Sequence, residues 1–174
     1  MAKKSVLSAL AMALTLAVSA PALSGCNSTT SNSVTTDRTQ IMLVSEQEVM
    51  AEADKFYQKV LADAKRTKTL NTNKQTYNRV RKIADKMIKI APTFRADCKD
   101  WKWEVNVFTS DEVNAWCAAG GKIGVYTGII DTLKLTDDEL AVVLSHEIAH
   151  ALREHSREQL SAEYAKQTAM SVAS

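Results

Sequence analysis

His146-Glu147-Ile148-Ala149-His150 is an H-E-x-x-H pentad, set in a run where Leu140, Val143, Leu144, Ile148, Ala151 and Leu152 recur at helical spacing. On an α-helix of 3.6 residues per turn, positions four apart share a face, so both imidazoles can point at one metal ion. Glu147 then lies beside that ion, placed to take a proton from an attacking water as general base and hand it to a leaving amine. These residue types at this spacing imply zinc-dependent hydrolysis of a peptide bond, with one Zn2+ per chain; the plain alternative is a structural His/Glu pair on a core helix. Just upstream, Thr136 with Glu139 makes a capping box, and Asp137 and Asp138 suit the positive end of a helix, so the pentad is expected on a well-started helix.

Before that helix the periodicity is different. From Trp101 the apolar positions alternate, with Trp101, Trp103, Val105 and Val107 against Lys102, Glu104 and Asn106, which predicts a half-buried strand. Val113 to Cys117 and Lys122 to Tyr126, separated by Gly120-Gly121, predict a hairpin with a glycine turn. Gly124 within a strand implies either the close approach of another backbone, a substrate's included, or a bulge or tight packing. Thr127 to Leu135 is expected as a short helix. Further upstream, Ser45 and Glu48 form another capping box ahead of a helical face of Val49, Ala53, Phe56, Val60 and Ala64. After a polar break from Thr67 to Lys74, a second helical face runs through Tyr77, Val80, Ala84, Met87, Ile88 and Ala91 and is stopped by Pro92.

Residues 1–25 carry Lys3 and Lys4, an apolar run from Val6 to Ala20, and Leu23-Ser24-Gly25 directly before Cys26, the layout of an export signal. The small-residue tripeptide before a cysteine resembles a bacterial lipobox, in which Cys26 is lipidated and holds the protein on a membrane surface without a spanning segment. Asn27 after that cysteine resembles an outer-membrane sorting signal. The net charge of +2 is accounted for by the two leader lysines, so no excess remains to argue for nucleic acid. Residues 26–44, rich in Ser, Thr and Asn, are expected to be a flexible tether, and residues 45–174 one domain.

Asn114-Ala115-Trp116, Gly120-Gly121-Lys122-Ile123, Tyr126-Thr127-Gly128-Ile129-Ile130, Asp138 to Leu144 and the pentad follow in close order. Together they resemble the zinc metallopeptidase family typified by HtpX and the CAAX prenyl proteases, nearest to its periplasmic lipoprotein members of the LoiP type. The resemblance implies an α+β, zincin-like domain: N-terminal helices, a small antiparallel sheet, then the active-site helix. It makes His146 and His150 zinc ligands and Glu147 the catalytic base. It also makes Asn114, Ala115, Gly121, Lys122, Ile123 and Gly124 substrate-binding, with Lys122 to Val125 as the edge strand to which an extended polypeptide adds. The implied role is a lipid-anchored endopeptidase of the bacterial cell envelope, at the outer membrane facing the periplasm, that cuts misfolded or damaged proteins alongside envelope protease or chaperone partners. The alternative is an inactive lipoprotein that binds unfolded or partner chains through the same edge.

By that resemblance the third zinc ligand is a glutamate on a later helix, and the chain stops at Ser174 short of one, as expected of a C-terminally truncated piece. Glu154, Glu158 and Glu163 are the carboxylates after the pentad. They read as lying on a continuation of the pentad helix, out of reach of the metal. On that continuous helix His155, about 140° round from His150, faces away as a packing or surface residue. Cys98 and Cys117 are left either as a disulfide or as two free, partly buried thiols.

Overall fold

The computed structural model describes the backbone of Cys26–Asn27 and residues 39–172. The export signal, the Cys26 side chain and most of the expected tether lie outside the described residues. Among those described, five α-helices accompany a three-stranded sheet, an α+β arrangement. None of the helices is long and apolar enough to cross a membrane.

Order begins upstream of the expected domain start. Cys26–Asn27 (β1) pairs antiparallel with Gln40–Ile41 (β2). Gln40 is buried and donates to the Arg153 carbonyl at 2.9 Å, and the amides of Leu43 and Val44 both donate to Ser161 Oγ. The last five residues of the expected tether are therefore docked: a polar, unpatterned sequence is held by specific hydrogen bonds that no periodicity announces.

Helix α1 (Glu46–Arg66) starts at the expected capping box, with the Ser45 hydroxyl accepting from the Glu48 amide and the Glu48 carboxylate accepting from the Ser45 amide. Its buried face is Val49, Tyr57, Leu61 and Ala64. Phe56, expected inward, is 52% exposed, because Tyr57 takes the inward position and donates its place at the surface to Phe56, which meets Trp116 edge-on. Helix α2 (Lys74–Ile90) is capped by Asn73, buries Val80, Ile83 and Ala84, and gives way to a 3₁₀ turn, Ala91–Thr93, at Pro92.

Strand β3 (Glu104–Phe108) is shorter than the alternation suggests, since Ala96–Asp100 forms a 3₁₀ turn and the Trp103 indole is drawn back to the Cys98 carbonyl. β4 (Ala115–Ala118) and β5 (Lys122–Tyr126) form the expected hairpin, turning through Gly120 and Gly121 at φ +77° and +82°, a region that favours glycine. The sheet order is β3-β5-β4, with β5 parallel to β3 and antiparallel to β4.

The sheet is thus mixed, where an antiparallel one was expected, and β5 is its centre, where an edge was expected. The physical reason lies in burial. Lys122 to Val125 are all buried, as a strand covered on both faces and paired on both sides must be. The outer side of β3 is taken by the segment after α1: the Asn71 amide donates to Val107 O, Asn71 Oδ1 accepts from Val107 N, and Thr109 N donates to Thr69 O. That leaves β4 as the open edge.

Helix α3 (Thr127–Leu133) leads into α4 (Asp137–Leu152). α4 packs against α2 on one side and β4 on the other, burying Leu140, Leu144, Ile148, Ala151 and Leu152. Leu140 and Leu144 are fully enclosed, and each contributes on the order of 2 kcal/mol by leaving water. The chain then breaks at Arg153–Glu154, and α5 (His155–Val172) sets off as a separate helix. The continuous helix expected through Glu158 does not exist.

Candidate metal centre and active site

α4 places the pentad where its cap and stripe predict. Thr136 Oγ1 accepts from the Glu139 amide and Glu139 reaches back to the Thr136 amide, so the first turn is fixed in phase. With Leu144 and Ile148 driven into the core, His146 and His150 are left exposed and Glu147 half-buried. The two imidazoles converge, with their Nε2 atoms 3.0 Å apart. Two nitrogens bound to one tetrahedral zinc at 2.0–2.1 Å stand about 3.3 Å apart, so the pair fits a shared ion after a small adjustment.

Glu147 lies beside β4. Its carboxylate charge, after burial as the larger cause, pushes the Cys117 thiol well above the usual thiol range. Cys117 is therefore a protonated, poorly nucleophilic neighbour. Cys98 is also free, with its thiol raised by burial to about 11; the two cysteines do not form a disulfide.

No group of three or more His, Cys, Asp or Glu among the described residues could hold a metal ion together. The carboxylates after the pentad are engaged elsewhere. Glu154, 8% exposed, pairs with Arg95 and Arg157. Glu158 accepts from Gln40 Nε2 at 3.0 Å. Both sit on the far side of a chain break, so their distance from the metal has a different cause from the helical rise first invoked. His155 is corrected most: its Nδ1 is 2.6 Å from His150 Nδ1.

The residues expected to bind substrate divide in two. Lys122 is buried, its Nζ donating to the Lys102 carbonyl at 2.7 Å and the Glu104 carboxylate at 2.6 Å. Ile123 is fully enclosed, and Gly121 lies under the Trp103 ring. A Cβ on Gly124 would meet the Trp116 ring, so tight side-chain packing explains that glycine, and no second backbone is needed. These four support the sheet from within.

Asn114 and Ala115 belong to the edge. The Tyr126 amide donates to Asn114 O, which fixes the phase of the ladder: Asn114, Trp116 and Ala118 turn their main-chain groups to β5, and Ala115 and Cys117 turn theirs outward. No described strand pairs on that side. An apolar groove lies beside β4, lined by Val49, Ala53 and Phe56 of α1, Trp116 and Cys117, and Leu160 of α5. Periodicity alone missed Cys117, because only the sheet order reveals which strand is the edge.

Residues 74–174 match the family described as Peptidase family M48. Metalloprotease YcaL of Escherichia coli is 29% identical over 96 residues, which cover 55% of this chain and 37% of that protein. Mitochondrial metalloendopeptidase OMA1 of Arabidopsis thaliana is 45% identical over 56 residues, 32% of this chain and 11% of the relative. OMA1 of Schizosaccharomyces pombe is 43% identical over 61 residues, 35% and 18%. The chain thus spans well under half the length of these relatives. No solved structure matches it.

Proposed function

The chain belongs to peptidase family M48, and from that premise we propose that it is a zinc-dependent endopeptidase in which His146 and His150 hold the metal and Glu147 is the general base. The observation that carries this reading is the 3.0 Å convergence of the two Nε2 atoms on the helix that bears Glu147. The names of the relatives, metalloprotease and metalloendopeptidase, support it. Zinc, when bound, supplies Lewis acidity that polarises the scissile carbonyl and makes water acidic enough to deprotonate near neutral pH. The third ligand that the family resemblance implies is not among the described residues.

The chain's own groups do the rest. An extended polypeptide adds to β4, pairing with the outward main-chain groups of Ala115 and Cys117, and its side chains meet the apolar groove. Such recognition reads backbone and apolar side chains, surface that a folded protein hides, so unfolded polypeptides are the natural substrates. Glu147, next to Cys117 on that edge, takes the proton of the attacking water and delivers it to the leaving amine. The leader and Cys26 support a lipid anchor at the cell envelope, as in LoiP-type members.

The test is cleavage of an unfolded, fluorescently labelled polypeptide by the zinc-loaded parent and by Glu147→Gln. The expected loss is about 100-fold or more with zinc content unchanged. Equal turnover by parent and variant, or polypeptide binding by both with cleavage by neither, would overturn the peptidase reading, the second outcome in favour of a binding lipoprotein.

A further inference from the structure

We propose that His155 is a positioning residue that fixes the tautomer of the zinc ligand His150. This rests on the peptidase reading above, and deepens it. His155 Nδ1 lies 2.6 Å from His150 Nδ1, and the rings meet edge to face with centroids 4.7 Å apart. On its other side, His150 presents Nε2 to His146 Nε2. His155 therefore touches the back of the His150 ring, away from the metal side, and is not a substitute third ligand.

The contact between the two Nδ1 atoms can run in either direction. If His155 donates, His150 carries its proton on Nε2 and cannot bind a metal there. If His150 Nδ1–H donates and His155 Nδ1 accepts, Nε2 is left with a bare lone pair aimed at the metal position. Ligating histidines ordinarily give that second N–H to a carboxylate, a carbonyl or water. Here a third histidine takes the role.

The fold holds this neighbour in place with evident effort. α4 would carry residue 155 round its own axis and away from His150. Instead the chain turns at Glu154, whose backbone is left-handed at φ +52°, a conformation that costs a non-glycine residue about 1 kcal/mol or more. Buried Arg95 pins the turn, reaching both the Leu152 carbonyl and the Glu154 carboxylate at 3.4 Å, while Arg157 pairs with Glu154 at 3.2 Å. The consequence is that His155 starts α5 against His150.

The experiment uses the full chain, with His155→Phe, which keeps bulk and removes the acceptor, and His155→Asn, whose amide oxygen can accept in place of Nδ1. Two-bond 1H–15N spectra of the metal-free proteins report which nitrogen of His150 is protonated, and chelator competition reports zinc affinity. Expected are Nδ1–H at His150 in the parent, a shift toward Nε2–H and zinc binding weaker by about 10- to 100-fold in His155→Phe, and recovery of both in His155→Asn. An Nε2–H tautomer in the parent, or a His155→Phe protein that binds zinc within twofold of the parent, overturns the proposal. Should His155→Phe fail to fold, the parent tautomer alone still decides. If the parent holds the Nδ1–H form yet binds no zinc, the positioning stands and the peptidase reading falls.

Discussion

The two ends of α4 are built on different principles. Its start is local: four consecutive residues, Thr136 to Glu139, satisfy each other's hydrogen bonds and set the phase of everything that follows. Its end is remote. Leu152 and Glu154 are held by Arg95, more than fifty residues earlier, and Arg153 O by Gln40, from the far end of the domain. The lesson is that a helix carrying a metal site can be started by a short signal but stopped, and its ligands buttressed, only by the assembled fold.

That contrast can be broken at either end. The largest effect is expected from Arg95→Met. It removes the partner of buried Glu154 and frees Glu46 and Asp97, and should cost about 3 kcal/mol in urea unfolding. It should also loosen the tautomer of His150, seen in the same nitrogen spectra, although the substitution lies far from it in sequence. At the other end, Thr136→Ala removes the cap and should cost about 1 kcal/mol while leaving the His150–His155 contact intact. If the two variants perturb His150 equally, the division into a local start and a remote end is wrong.

A smaller effect sharpens the remote end. The Arg95 guanidinium, through its hydrogen bonds, holds the Asp97 carboxyl below its ordinary value of 3.8. A carboxyl depressed in the folded state adds stability that is present above its unfolded pKa and lost as pH falls through the folded one. The Tm of the parent should therefore exceed that of Asp97→Asn at neutral pH, and the difference should shrink as the pH falls through and below about 4. A difference that is constant with pH would mean that the pair contributes nothing through charge.

The same division explains what could be read from the amino acids. The capping boxes at Ser45 and Thr136, the stripe of Leu140, Leu144 and Ile148, the glycine turn and the convergence of His146 and His150 are all local patterns, and all are found as expected. Sheet order was not legible, because whether Lys122 to Val125 is an edge or a centre depends on Asn71 and Thr69 closing one side and β4 the other. Phe56 and Tyr57 are adjacent and both aromatic, so the inward one is chosen by Trp116 and the strands beneath, not by spacing. The break at Glu154 has no glycine or proline to announce it, since Arg95 and Arg157 compensate the left-handed backbone from outside the helix.

The central claim, that the pentad is a zinc site, is tested most directly by elemental zinc per chain after dialysis against a weak chelator, in the full protein and in His146→Ala side by side. The account predicts close to one zinc in the parent and none in the variant. The same low content in both would contradict it, and would leave the converging imidazoles of His146 and His150 as a structural pair.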